Sequence, residues 1–234
     1  MRVSEAPARR LTVAIDGPAG AGKSAAAQAV ARALGYAYID SGAMYRAVAL
    51  RALEDGVGLG CPDRIADLAR SARIAFDPGV DGAQRVLLDG RDVTEAIRTP
   101  EVTRLSSPVS AIASVRVELA ARQQELGRAG GVVMEGRDIG TVVFPMAEVK
   151  VFLTASDEER ARRRLADRVA AGAPGTLEEV LQEQRERDAR DSSRDVAPLR
   201  PAEDAVLLNS DGMSLDEVVA RILALCRERQ QCRW

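Results

Sequence analysis

The run Gly17-Pro18-Ala19-Gly20-Ala21-Gly22-Lys23-Ser24 sets glycines, a lysine and a serine at the spacing G-x-x-x-x-G-K-S. Glycines let the backbone curl until successive N–H groups converge on phosphate oxygens, and a helix opening at Ala25 adds its positive partial charge. Lys23 is placed to reach β and γ phosphates, and the Ser24 hydroxyl to sit on Mg²⁺. Gly17 through Ala25 are therefore the candidate contacts for the phosphates of a nucleotide. Of 33 basic residues only Lys23 and Lys150 are lysine. A compact ammonium fits against a tight loop where the broad guanidinium fork does not.

Two further clusters carry chemistry-bearing residues. Asp40-Ser41-Gly42-Ala43-Met44-Tyr45-Arg46 follows a strand-like run, which is where ligands bind in open α/β sheets. Its plainer reading is a helix cap at Ser41 with a surface Arg46. Arg187-Asp188-Ala189-Arg190-Asp191-Ser192-Ser193-Arg194, read as a helix, puts Arg187, Arg190, Asp191 and Arg194 on one face. Three arginines facing one way repel unless anions lie among them, and Asp191 offsets only one charge. The alternative is a solvated face.

The chain has no histidine. That removes every mechanism with an imidazole base and most zinc chemistry. Phosphoryl transfer survives, because it rests on positioning and on neutralising spread negative charge with Mg²⁺, Lys and Arg. A phosphate acceptor is already anionic and needs little general base, so the composition suits a kinase acting on a phosphate. Cys61, Cys226 and Cys232 lack C-x-x-C spacing and read as ordinary thiols of a reducing compartment. A net charge of −2 gives no global pull toward a nucleic-acid polymer. No apolar run is long enough to span a membrane and Met1–Arg10 lacks a signal-like apolar centre, so the expected location is cytoplasmic.

The elements that must position these residues alternate as in an α/β domain. Strands are expected at Leu11–Asp16, Tyr36–Asp40, Gly131–Glu135, Val149–Leu153 and Ala205–Asn209. Helices are expected at Ala25–Leu34, Tyr45–Leu53, Val115–Leu126 and Leu215–Cys226, with another opening near Ser156. The rhythm breaks from Pro62, where a short helix precedes strands at Arg73–Phe76 and Gln84–Leu88, with turns at Asp77-Pro78-Gly79 and Asp89-Gly90. This meander reads as an inserted subdomain. Two arginine-rich helices flank Gly172-Ala173-Pro174-Gly175; they form either a lid over a site or a solvated, salt-bridged pair.

Together, Gly17–Ser24, Asp40–Arg46, the string Gly136-Arg137-Asp138-Ile139-Gly140-Thr141-Val142-Val143-Phe144-Pro145 and Arg187–Pro198 closely resemble the bacterial cytidylate kinases. The resemblance runs from about Leu11 to Arg229. It implies a P-loop α/β kinase with a parallel central sheet: a core at 10–61, 99–158 and 200–230, a monophosphate-binding insertion at about 62–98 and a lid at about 159–195. It implies ATP and Mg²⁺ on the donor side, CMP or dCMP as acceptor, and a monomer. By position, Ser41, Ser107, Arg116 and Asp138 are expected in the nucleobase pocket. Arg46, Arg137 and Arg194 are expected as phosphate and base-side clamps, Arg187 with Asp191 on the ribose, and Lys23, Arg137 and Arg190 at the chemistry.

Cytosine offers an amine donor beside two acceptors, so it asks for a carboxylate and donors, the combination Asp138, Arg116 and Ser107 provide. Uracil would set a carbonyl against that carboxylate. The competing readings are a P-loop kinase for UMP or AMP and a nucleotide switch of the GTPase kind. The chain lacks the N-K-x-D motif that a guanine switch requires.

Overall fold

The computed structural model describes residues 10–78, 84–170, 172–173 and 175–231. Met1 to Arg9 of the polar start, Gly79 of the first turn, Pro174 of the helical hairpin and Cys232 lie outside the described residues. Strands β1 (Thr12–Asp16), β2 (Ala37–Asp40), β6 (Val132–Gly136), β7 (Val149–Thr154) and β8 (Val206–Asn209) form one parallel sheet in the order β2-β6-β1-β7-β8. From β1 the chain crosses to β2 on one side and later fills β7 and β8 on the other, so the order reverses at β1. Open sheets bind ligands beyond the strands' carboxyl ends at such a reversal. That edge carries Gly17 after β1, Ser41 after β2 and Arg137 after β6.

Strand alternation sets the two faces. On one, Val13 and Ile15 of β1, Val133 of β6 and Val151 and Leu153 of β7 pack with Ala26, Ala27 and Val30 of α1 (Lys23–Leu34) and Val218, Ile222 and Cys226 of α8 (Leu215–Gln231). On the other, Ala14, Val132 and Met134 meet Ile139 and Val143. Beyond them lies a helical core of α2 (Ser41–Glu54), α4 (Pro100–Ala111) and α5 (Ala113–Gly127).

The expected insertion is present as α3 (Pro62–Ser71) and an antiparallel sheet β3 (Ile74–Asp77), β4 (Arg85–Leu88) and β5 (Arg91–Asp92). The third strand was not foreseen from the sequence, because it is two residues long. Ile65, Ala66 and Ala69 of α3 share one core with α2 and α5, so the insertion is packed continuously onto the helical layer.

Two helix boundaries differ from expectation and change how the site is built. α2 begins at Ser41, with Asp40 as its cap accepting from the Ala43 N–H at 3.0 Å. Ser41 is thereby released from capping. The charged hairpin is α6 (Asp157–Ala170) and α7 (Leu177–Ser192), the latter opened by a capping box of Thr176 and Glu179. Since α7 stops at Ser192, Arg194 lies past the helix, and its place beside Asp191 comes from the chain's exit and not from an i+7 repeat.

Candidate active site

The loop after β1 has the backbone that its glycines make possible. Gly17, Gly20 and Gly22 all take positive φ, and a Cβ on Gly17 would lie 1.9 Å from the Leu153 carbonyl oxygen. Lys23, the first residue of α1, is buried and donates from Nζ to the Pro18 carbonyl at 2.6 Å. Ser24 is exposed one residue on, with its hydroxyl beside the Glu135 carboxylate near the end of β6. Tyr38 also donates to Glu135, at 2.7 Å. Glu135 was not among the expected site residues, because an acid near the end of a strand has no local signature.

The residues expected on the acceptor side come from five segments. Ser41 donates to the Glu135 carbonyl at 2.6 Å, and Arg46 pairs with Asp40 at 2.6 Å. Arg116 of α5 donates to Asp138 in a buried pair and, at 2.9 Å, to the Ser110 carbonyl. Arg137 donates to Asp191 at 3.0 Å, Arg194 takes the other oxygen of that carboxylate, and Arg187 stands 4.0 Å away. Asp191 thus lies among three arginines, where one charge pairing was expected. Arg190 is the member that diverges: it is exposed and donates to Ser107 Oγ at 2.8 Å, so it closes over the base-side residues and does not join the Lys23 cluster.

Asp16, at the carboxyl end of β1, links the two sides. Its oxygens accept from the N–H groups of Ile139 and Gly140 at 2.8 and 2.7 Å, pinning the π-helical turn Ile139–Val143 that directly follows Arg137-Asp138. Burial pushes the Asp16 carboxyl up to about 6, against those two hydrogen bonds.

Cation crowding dominates the electrostatics. Lys23 is pushed down to about 7 by burial and then by Arg137 and Arg187. Arg187 is pushed down to about 9 by burial and by Arg137, with Arg164 and Arg46 adding to the effect. Positive groups from α1, α2, α6, α7 and the turn after β6 therefore face one another with too little negative charge among them. The complement of such a cluster is a polyanion. Burial also raises Glu135, helped by the neighbouring Asp40 charge. Burial opposes the charge on Asp40 itself, but Arg46 outweighs it and holds that carboxyl below its ordinary value.

Beside the loop a cavity of about 230 Å³ is walled by Gly22, Ala25, Leu153, Arg163, Met213 and Val218. Arg163 is held at its rim by Glu159 and by the Ser210 hydroxyl and carbonyl, each at 2.9 Å. An apolar slot with a flat guanidinium at its edge suits a planar base. It was missed in the sequence because α6, β7 and the start of α8 each contribute only one or two residues.

Hard oxygen donors near the loop fit Mg²⁺: the Ser24 hydroxyl and the Glu135 carboxylate are adjacent. Among the described residues no three His, Cys, Asp or Glu gather into a metal cage. Mg²⁺ characteristically uses one or two protein oxygens with substrate phosphates and water, which is what this pair offers. Among the described residues, no helix is long and apolar enough to cross a membrane.

A parallel sheet with a phosphate loop at its reversal, an antiparallel insertion and a helical hairpin of arginines defines a P-loop kinase of the kind that phosphorylates nucleoside monophosphates. The fold is matched by a crystal structure of an uncharacterized protein from Eubacterium ventriosum, at TM-score 0.51 and 8% identity, covering 94% of this chain and 99% of that one. The profile of the family described as cytidylate kinase matches residues 13–228. A cytidylate kinase of Desulforamulus reducens is 54% identical over 211 residues, covering 90% of this chain and 94% of the relative. One of Desulfitobacterium hafniense is 49% identical over 221 residues, with 94% of each chain covered. The chain belongs to the cytidylate kinase family, whose reaction moves a phosphoryl group from ATP to CMP or dCMP.

Proposed function

We propose that the transfer runs between the Lys23 loop and the Arg137–Arg187–Arg194 cluster, with ATP held by the first and the acceptor phosphate by the second. The observation that carries this reading is the mutual crowding of Lys23, Arg137 and Arg187, which only closely spaced anions relieve. Backbone N–H groups of Gly17–Ser24 orient the donor phosphates, and Lys23 shifts from the Pro18 carbonyl to the transferred group. The donor base fits the cavity beside Arg163. Ser24 and Glu135 would hold Mg²⁺, which when bound neutralises charge between the β and γ phosphates. The acceptor is a phosphate oxygen, so no base has to remove a proton.

On the acceptor side Asp138, fixed by Arg116, accepts from the cytosine amine, and Ser107 and Arg116 supply donors. Ser41 and Arg46 close the pocket, and Arg187, at the edge of the phosphate cluster, reaches the sugar together with Asp191. Arg190 serves through Ser107. The segment from about 62 to 98 acts as the monophosphate-binding unit, and that from about 159 to 195 as the lid over both nucleotides. The resemblance to the bacterial cytidylate kinases makes the reading one of a monomeric, cytoplasmic enzyme. A coupled assay of ADP release with CMP, dCMP, UMP and AMP tests it: fast turnover is expected with the two cytidine nucleotides, and equal rates with UMP would overturn the base assignment.

A further inference from the structure

The acid Asp188 lies inside the arginine motif of α7, yet its carboxylate is bound by Arg160 and the phosphate loop and not by the arginines of that motif. Its Oδ2 accepts from Arg160 NH1 at 2.5 Å, and its Oδ1 accepts from the Ala19 N–H at 3.4 Å. Arg160, in the first turn of α6, is 4% exposed. Its NH1 also donates to the Ala19 carbonyl at 2.8 Å, its Nε to the Ala155 carbonyl at 3.1 Å and its NH2 to Asp157 at 2.6 Å. One buried guanidinium therefore joins the phosphate loop, the end of β7, α6 and α7. The loop is shaped to receive α6 and α7 themselves: a Cβ on Gly20 would lie 2.9 Å from the Arg160 carbonyl oxygen and 3.2 Å from Gln184 Oε1.

From these contacts the geometry points to Arg160 and Asp188 as positioning residues for phosphoryl transfer: they clasp α7 to the phosphate loop and so set the distance between the donor phosphates and the acceptor clamp. Arg187 precedes Asp188 by one residue and Asp191 follows it within a turn, so the same stretch of helix carries the clamp and, on its adjoining flank, the clasp. A buried ion pair adds little net stability over an apolar pair of the same size. What a forked guanidinium adds is direction, because its hydrogen bonds fix four segments at set angles. In-line transfer is sensitive to that, since a displacement of about 1 Å can cost on the order of 100-fold in rate.

The inference rests on reading the two clusters as donor and acceptor sites. Steady-state kinetics of Asp188→Asn, Asp188→Ala, Arg160→Ala and the double alanine variant, with ATP and each of several monophosphates, would test it alongside thermal unfolding. The expected result is a kcat lowered on the order of 10- to 100-fold, with both KM values within about threefold of the wild type. The double variant should be no slower than the worse single one, as for residues that act as a unit. A raised KM at unchanged kcat, additive losses in the double variant, or a lower Tm with normal kcat for the folded fraction would each overturn the clasp. If Arg160→Ala fails to fold, Asp188→Asn, which keeps the side-chain volume, still decides through its split between kcat and KM. Wild-type turnover on another monophosphate in place of CMP would count against the acceptor reading only; the clasp would then be judged on that substrate.

Discussion

The donor and acceptor halves of the site are built from different materials. The proposed donor loop is nine consecutive residues, bent by glycines so that backbone N–H groups can meet phosphates, with Lys23 as the one buried charge. The proposed acceptor half draws on side chains from α2, α4, α5, the turn after β6 and α7, held by ion pairs such as Arg116–Asp138 and Arg137–Asp191. A contiguous backbone site depends on local dihedrals and tolerates change outside its glycines. An assembled site depends on every helix that delivers a residue, and its charges must pair with one another wherever no ligand pairs them.

The widest separation between the halves should come from their charges. Lys23→Ala is expected to lower kcat on the order of 10³-fold while the fold survives, because Lys23 acts on the developing charge of the transferred group. Arg187→Ala should instead fall mainly on kcat/KM for the monophosphate, on the order of 100-fold. If the two variants lose activity toward ATP and CMP in the same proportions, the division into halves is wrong. Arg194 differs from what an exposed arginine would give. Its side chain is only 7% exposed and it pairs with buried Asp191, but Arg137 and Arg187 stay beside that carboxylate, so Arg194→Ala should also cost about 1–3 kcal/mol in unfolding experiments, the worth of one charged hydrogen bond.

Asp16 tests the joint between the halves. Its carboxyl titrates near 6 when folded against 3.8 otherwise, so the folded chain binds that proton more tightly. The resulting stabilisation is complete below about pH 4 and is lost as pH rises through 6; it amounts to roughly 3 kcal/mol. The stability of the wild type relative to Asp16→Asn, followed by chemical unfolding, should therefore fall across that window and level off above pH 7. A flat difference would mean that Asp16 is held ionised by its two hydrogen bonds throughout.

Base choice is a finer test. Asn at position 138 is nearly isosteric and can turn its NH₂ toward a uracil carbonyl. Asp138→Asn should narrow the preference for CMP over UMP by about 1–3 kcal/mol in kcat/KM. Equal losses with both substrates would make Asp138 a partner of Arg116 and nothing more. The smallest effect is expected from Arg190→Ala, which removes an exposed hydrogen bond to Ser107 and should cost about 0–1 kcal/mol in either activity or stability. A loss as large as that of Arg187→Ala would return Arg190 to the chemistry.

The sequence determined the parts in which neighbouring residues bind together. Gly17, Gly20, Gly22 and Lys23 are legible because a phosphate loop is a backbone conformation, and conformation is encoded by adjacent residue types. Strand β1, helix α1 and the parallel class of the sheet were legible for the same reason, through period-two and helical apolar patterns. The tertiary structure decided everything that depends on which faces meet. It gave the cap of α2 to Asp40 and sent Ser41 to Glu135, set Asp191 among three arginines, turned Arg190 aside to Ser107 and aimed Asp188 at Ala19 through Arg160. Two acids three residues apart on α7, neighbours on its surface, thus take different partners. Side-chain spacing marks a helical face, but only the packing of α6, α7 and β6 around the loop fixes what that face touches.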